Sequence, residues 1–295
     1  MKTSDPPLSD PLAAVRGETS VRVGIGGWTF APWRDNFYPA GLPQRRELEY
    51  ASRHVPSIEV NGTWYGAQKP ATYAKWRNET PEGFVFSLKA PRYVAERKAL
   101  ASAEDAIDGF VFGGLDKLGD RLGPILWQFP PSRSFDASDF AAFLELLPRA
   151  IDERPLRHVL EVRHASFLSA EYLDMARAHG CASVFTDSEE YPSFADLTGD
   201  FVYARLMRSR ASIANGYTAK ELDAWAQRAR VWGASGEPDD LPRIRPLSNS
   251  TRGKQKPRDV FIYFIGSAKQ RNPAAAMALL KNIGAQNGAH KTTPR

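Results

Sequence analysis

The chain has 295 residues, 42% of them hydrophobic and 25% charged, with 39 Lys and Arg against 34 Asp and Glu. These proportions exclude a disordered, collagenous or disulfide-stapled chain and allow a large core. A net charge of +5 is too mild to single out nucleic acid as a partner, and one cysteine, Cys181, rules out an intramolecular disulfide or a Cys-x-x-Cys motif.

In chain order, Met1–Ser20 is rich in Pro, Ser and Asp, is expected to be a disordered tail, and lacks the apolar stretch of a signal peptide. A first apolar strand follows at Val21–Gly26, then a helical pattern at Gln44–His54 carrying Leu48 and Ala51. The second strand is Ser57–Asn61, and Pro70–Asn78 opens with a proline suited to a first helical turn. Strand three, Phe84–Lys89, precedes two helical pieces within Ala103–Leu122, broken at Gly113–Gly114. Strand four is Pro124–Phe129, with a helix at Ser138–Leu147 after it. Strand five is His158–Arg163, followed by a helix at Ser169–His179. Cys181, read as a buried structural thiol, leads into strand six, Ala182–Asp187. Only Ser188–Asp200 separates this strand from the seventh, Phe201–Leu206, which is too short for a crossover with a full helix. Ala219–Trp232 is helical, and Gly233–Arg258, polar with several prolines and basic residues, reads as a mobile insertion or a lid. Strand eight, Val260–Ile265, and a helix over Asn272–Ile283 stopped by Gly284 leave 285–295 as a second tail.

Short, nearly continuous apolar strands alternating with helices eight times predict a single closed (β/α)8 barrel over residues 21–284, with a reduced crossover between strands six and seven. An open doubly wound sheet is the alternative. No apolar run is long enough to span a bilayer, so a cytoplasmic location is expected.

Alternate strand residues of a barrel point inward, and functional groups gather at the strands' C-terminal ends. That parity selects Glu59 and Asn61 on strand two, Lys89 on strand three and Gln128 on strand four. It adds Glu161 and Arg163 on strand five, Asp187 on strand six, Tyr203 and Arg205 on strand seven and Tyr263 on strand eight. Three acids (Glu59, Glu161, Asp187) then face three bases (Lys89, Arg163, Arg205). The same ring would arise from structural ion pairs filling the barrel mouth; its gathering at strand ends favours a binding site. Of the aromatic residues clustered in the first half, Trp28 and Tyr65 lie just past strand ends, where a ring could stack on a sugar or base.

Other signals are weaker. Gly24-Ile25-Gly26-Gly27 lacks the third glycine of a dinucleotide fingerprint and the Lys-Ser/Thr of a phosphate loop, so a tight turn beside Trp28 explains it better. His164 with Glu161 and Asp187 could be imagined as a metal site, but no second histidine or thiolate accompanies it, and no metal or other cofactor is expected. A Gly-x-Ser-x-Gly elbow is missing.

The residues also match a known pattern. Gly26-Gly27-Trp28, Trp33 and Phe37-Tyr38-Pro39 are followed by Glu59-Val60-Asn61-Gly62-Thr63-Trp64-Tyr65, then by Trp76, Thr80-Pro81, Phe86 and Lys89. Gln128-Phe129-Pro130-Pro131, Glu161-Val162-Arg163-His164, Asp187, Tyr203 with Arg205, and Tyr263-Phe264 complete it. In this order and spacing the chain resembles the domain of unknown function 72 family, also called YecE-like. The resemblance covers nearly the whole chain and implies a barrel with a polar cleft at the strand C-termini, but no reaction. The chain departs from the pattern at Ile25-Gly26, where relatives carry Thr-Ser. It departs again at Met207-Arg208, in place of His-Gly, and at Ile265-Gly266, in place of two asparagines.

Three functions compete. The first is an enzyme acting on an anionic or polyhydroxylated small molecule. In it Glu59, Glu161, Asp187 and Lys89 are the catalytic candidates. Trp28, Asn61, Tyr65, Gln128, Arg163, Arg205 and Tyr263 are the binding candidates. The second is a phosphodiesterase or repair nuclease gripping phosphates with Arg243, Arg245, Arg252, Lys254, Lys256 and Arg258; it would need metal ions, which the low histidine count disfavours. The third is a non-catalytic binding protein on an enzyme fold.

Overall fold

The computed structural model describes residues 21–247 and 257–289, with 285–289 as backbone only. Eight strands form the central sheet: β1 (Val21–Gly26), β2 (Ser57–Val60), β3 (Val85–Lys89), β4 (Leu122–Gln128), β5 (His158–Glu161), β6 (Ala182–Thr186), β7 (Val202–Leu206) and β8 (Val260–Phe264). All neighbours run parallel, and β1 pairs with β8 from Val21 opposite Val260 onward, which closes the barrel and excludes the open sheet. Outside it lie α1 (Glu47–Ala51), α2 (Pro70–Glu79), α3 (Arg92–Ala95), α4 (Glu104–Val111), α5 (Ala137–Glu145), α6 (Ala170–Ala178), α7 (Ala219–Gly233) and α8 (Asn272–Ala289). A two-residue hairpin, Ala150–Ile151 with Arg154–Pro155, precedes β5.

The alternation of side chains sorts the core into two parts. Val23, Ile25, Ile58, Phe86, Leu88, Ile125 and Leu160 point outward and pack under the helices. Val85, Leu126, Val159, Val184, Phe201, Tyr203, Phe261 and Tyr263 fill the lumen. Strand β1 gives the lumen glycines instead of bulk: a Cβ on Gly24 would stand 2.2 Å from the Ser57 carbonyl oxygen and 2.9 Å from the Tyr263 ring. The glycine run thus serves two purposes, close packing at Gly24 and a turn at Gly27, whose φ is +73°. In β4, Gly123 and Pro124 coincide with a register shift against β3 between Phe86 and Leu88. Proline has no N–H to give a ladder, so an irregular step is where a barrel strand tolerates it. Beyond that step Lys89 lies opposite Leu126, and Gln128 opposite Glu161.

Between β6 and β7 no helix forms. Residues 187–201 descend beside β6, where Thr198 Oγ1 accepts from the Ser183 N–H at 2.8 Å, and Phe194 and Ala195 are buried. The gap is covered by the segment after α7, residues 234–247, which is anchored to the barrel where the sequence suggests a mobile insertion or a lid over 233–258. Asp196 accepts the backbone N–H groups of Ile244 (2.7 Å) and Arg245 (3.0 Å), and Ala195 donates to Pro242 O at 2.8 Å. Leu241 is buried in the core. Arg245 pairs with Asp174 on α6, and Asp240 pairs with Arg228 on α7. The segment therefore bridges the two helices that flank the missing one. Its polar composition misled because its anchorage is hydrogen bonding to a distant loop, which periodicity does not reveal.

The expected tail at 1–20 and residues 248–256 lie outside the described residues. Gly284 does not stop α8, which continues to Ala289. Among the described residues no helix is long and apolar enough to cross a membrane.

Candidate functional site

A cavity of about 610 Å³ opens at the C-terminal ends of the strands. Asn61, Lys89, Gln128, Arg163 and Arg205 line it, so parity and strand-end position bring these five predicted residues together. Glu59 and Glu161 lie beneath, fully or almost fully buried.

Arg205 ties this floor together. Its Nε and Nη2 donate to the two oxygens of Glu59, each at 3.0 Å, and Nη1 lies 2.7 Å from both oxygens of Glu161. Tyr203 donates its hydroxyl to Glu59 at 2.8 Å. Arg163 adds Nε and Nη2 contacts to Glu161 at 3.1 and 2.9 Å. Burial opposes the charge on Glu161, but Arg205, Arg163 and Lys89 outweigh it and hold the carboxyl below its usual range. Burial likewise opposes the charge on Arg205, and Glu161 and Glu59 hold its guanidinium above its ordinary value. The donors of Arg205 are largely committed to these two carboxylates.

Lys89 is different. It is 8% exposed, and its Nζ sits 3.9 Å from the centroid of the Trp64 ring. The turn carrying that ring is fixed by Thr63, whose hydroxyl donates to the Lys89 carbonyl at 2.7 Å. Among the described residues no carboxylate lies within 4.0 Å of the ammonium. Burial, reinforced by the charge of Arg205, pushes its pKa down to about 8. Across the floor Gln128 is 6% exposed, and its Oε1 has no hydrogen-bond partner among the described residues. A polar atom buried without a partner carries a cost, and sites that receive ligands hold such atoms.

Four predicted residues stand elsewhere. Asp187 follows β6 on the outward parity, since Ala182 and Val184 take the lumen positions. It accepts from Met207 N at 2.5 Å and Tyr217 Oη at 2.9 Å, fastening the loop after β7, and burial pushes its carboxyl up. In a strand with apolar Val184 and Phe185 on opposite faces, composition does not tell which parity is inward, and the inward reading of Asp187 took the wrong one. Tyr263 does point inward, but one layer too deep; its hydroxyl bonds Ser57 Oγ at 2.6 Å and Ser87 Oγ at 2.7 Å. Trp28 packs edge-on against Trp76 at 5.1 Å in the barrel wall. Tyr65 is 78% exposed and does not line the cavity.

With Asp187 outside the ring, two carboxylates face three cations there, and Lys89 is the cation with no carboxylate of its own. Loops supply what strand-based reasoning missed. Ser188, Glu189, Glu190 and Tyr191 form one wall, with the Tyr191 ring 4.1 Å from the Arg163 guanidinium. Arg208 enters paired to Glu189 at 2.8 Å, and Lys269 and Asn272 enter at the start of α8. The position of that helix start, directly after a barrel strand, was the one signal available for them. All three departures from the family pattern reach the cavity, through Gly26, Met207 with Arg208, and Ile265 with Gly266. Gly266 admits Ser209: a Cβ there would lie 1.8 Å from its hydroxyl oxygen. Among the described residues no group of three or more His, Cys, Asp and Glu is placed to hold a metal ion. The arginines expected to grip phosphates in the 233–258 segment are engaged within the chain, Arg243 with Glu237, Arg245 with Asp174, and Arg258 with the carbonyls of Ser235 and Gly236. Arg252, Lys254 and Lys256 lie outside the described residues.

The fold and this cavity define a TIM-barrel protein with a charged cavity at the C-terminal ends of its strands. Comparison with known proteins places it further. The chain belongs to the family described as protein of unknown function DUF72, whose model matches residues 22–295. It is 28% identical over 160 residues to the UPF0759 protein YunF of Bacillus subtilis, covering 52% of this chain and 54% of that protein. To the UPF0759 protein YecE of Escherichia coli K12 it is 27% identical over 152 residues, 50% of each chain. The chain thus spans about half the length of the curated relatives it matches. The crystal structure of a DUF72 family protein from Thermotoga maritima superposes with a TM-score of 0.67 at 20% identity, over 91% of this chain and 99% of that one.

Proposed function

We propose that the cavity binds an anionic or polyhydroxylated small molecule and that Lys89, rather than a glutamate, handles the proton. The observation that carries this reading is Lys89 itself, an almost buried cation on the cavity floor that no carboxylate among the described residues pairs. Glu161 is a poor proton donor here, because the buried guanidinium of Arg205, with Arg163 and Lys89, holds it ionised, and both oxygens of Glu59 are committed to Arg205. A lysine whose pKa is about 8 can give and take a proton near neutrality, which is the range a general acid or base needs. Arg163 at the rim and Gln128 at the floor supply a cationic donor and a free acceptor for the ligand's polar groups. The reading requires no cofactor. A cytoplasmic setting belongs to it, supported by a single buried cysteine that needs no oxidising compartment.

The test is a titration of the protein with phosphate, sulfate, small carboxylates and a neutral sugar, following the thermal midpoint. Anions should raise the midpoint by a few degrees at saturation, and Lys89→Met should abolish the response. Binding of the sugar alone would make the cations structural and remove the anionic reading. Binding without turnover of any bound class would leave a ligand-binding protein.

A further inference from the structure

We propose that Lys89 forms an imine with the carbonyl carbon of a small aldehyde or 2-oxo acid held in the cavity; the assignment rests on the binding reading above and names its substrate class. An amine attacks a carbonyl only as the free base, so an ion-paired lysine is a poor candidate. Here the two carboxylates on the floor are taken by Arg205, and Glu161 also by Arg163, so neither forms an ion pair with Lys89. Trp64 covers one side of the amino group at 3.9 Å, which keeps water from that side and leaves the cavity as the direction of approach. Desolvation and neighbouring cations are the two means by which proteins activate lysine as a nucleophile, and both act on this residue.

The surroundings fit the steps. The nitrogen lone pair forms the C–N bond while the carbonyl π pair moves to oxygen. That oxygen takes up the proton released by nitrogen and becomes the hydroxyl of a carbinolamine. The hydroxyl is a new donor on the cavity floor, where the buried Oε1 of Gln128 has none to accept from. The ammonium's proton, given up to water in the cavity when the free base forms, returns to that oxygen as its second proton; the C–O bond then breaks, water leaves, and the nitrogen lone pair closes the C=N bond. The balance is ammonium plus carbonyl giving iminium plus water, with no oxidant or reductant. Arg163, 15% exposed and facing the same cavity, suits the carboxylate of a 2-oxo acid.

The experiment treats the full chain with glyoxylate or pyruvate in the presence of cyanoborohydride and reads intact mass and labelled peptides. The expected product carries the mass of the carbonyl compound less one oxygen, at Lys89. Labelling there should run about tenfold faster than at other lysines and accelerate as pH rises towards about 8. Lys89→Arg should lose the label while keeping a cooperative melt, and excess phosphate should slow labelling of the unaltered chain. If Lys89→Arg does not fold, the site preference in the unaltered chain and its protection by phosphate decide the matter alone. Labels spread evenly over surface lysines, or none at Lys89, overturn the imine. Anion binding with no label at Lys89 overturns the imine and leaves the binding reading standing, whereas the failure of every ligand to bind removes both.

Discussion

The lower and upper lumen of this barrel are built by the same strands with the same alternation, and they end in opposite states. In the lower part Val85, Phe201, Phe261 and their neighbours fill the space, and the Tyr263 hydroxyl is satisfied by Ser57 and Ser87. In the upper part Arg205 satisfies Glu59 and Glu161, while among the described residues Lys89 has the Trp64 ring but no carboxylate, and Gln128 Oε1 has no hydrogen-bond partner. The first region spends its side chains on packing. The second retains unmet polar capacity at a cost in stability, as binding sites do. Within one residue layer the barrel passes from closed core to open site, and Arg205 marks the boundary.

Removing Arg205 tests that boundary most severely. Arg205→Ala leaves two buried carboxylates without their shared cation, and we expect a loss of about 3–5 kcal/mol in denaturant unfolding. A loss below about 1 kcal/mol would place the residue in the exposed mouth rather than in the core. The bridge over the missing helix is next. Asp196→Ala strands the N–H groups of Ile244 and Arg245 and should cost about 1–3 kcal/mol in the same assay, whereas a dispensable insertion would show no change.

His158 probes the wall outside the lumen. Its Nδ1 accepts from Trp127 Nε1 at 3.0 Å, its Nε2 faces the Pro148 carbonyl at 2.7 Å, and burial lowers its pKa despite that carbonyl. The unfolded chain therefore binds the extra proton more readily. The stability His158 contributes is complete above the ordinary histidine pKa of about 6.5 and falls as pH drops below it. Urea midpoints from pH 8 to 5 should decline more steeply than those of His158→Gln. Parallel curves would mean that the ring is not held neutral.

The smallest effect on stability, and the one that separates the two regions, belongs to Lys89. Because its folded pKa is depressed, its charge disfavours folding below about 8, and this penalty is relieved as pH rises towards the unfolded value of about 10.4. Lys89→Met should therefore be neutral or stabilising at pH 7, unlike any cut at Arg205, and should flatten that rise. Clear destabilisation by Lys89→Met at pH 7 would make the residue part of the closed core.

Eight apolar runs at barrel spacing determined the fold, because buried parallel strands must be apolar on both faces and each needs a covering element. The same alternation placed Asn61, Lys89, Gln128, Arg163 and Arg205 at the mouth, since parity along a strand is a local property. Which parity faces inward is not legible where a strand is apolar on both faces: Val184 points to the lumen, Phe185 to the helices, and Asp187 shares the outer face with Phe185. Depth is not legible either: Tyr263 has the right parity, but strand stagger puts its hydroxyl among serines below the charged layer. Which partners pair was invisible in the sequence, where three acids and three bases look balanced. The folded chain decides that Arg205 takes two carboxylates and Lys89 none, because reach and direction, not composition, select ion pairs. The loops carrying Tyr191, Lys269 and Asn272, and the segment that replaces a helix beside β6, are likewise set by contacts between residues far apart in the chain. Periodicity carries no record of those contacts.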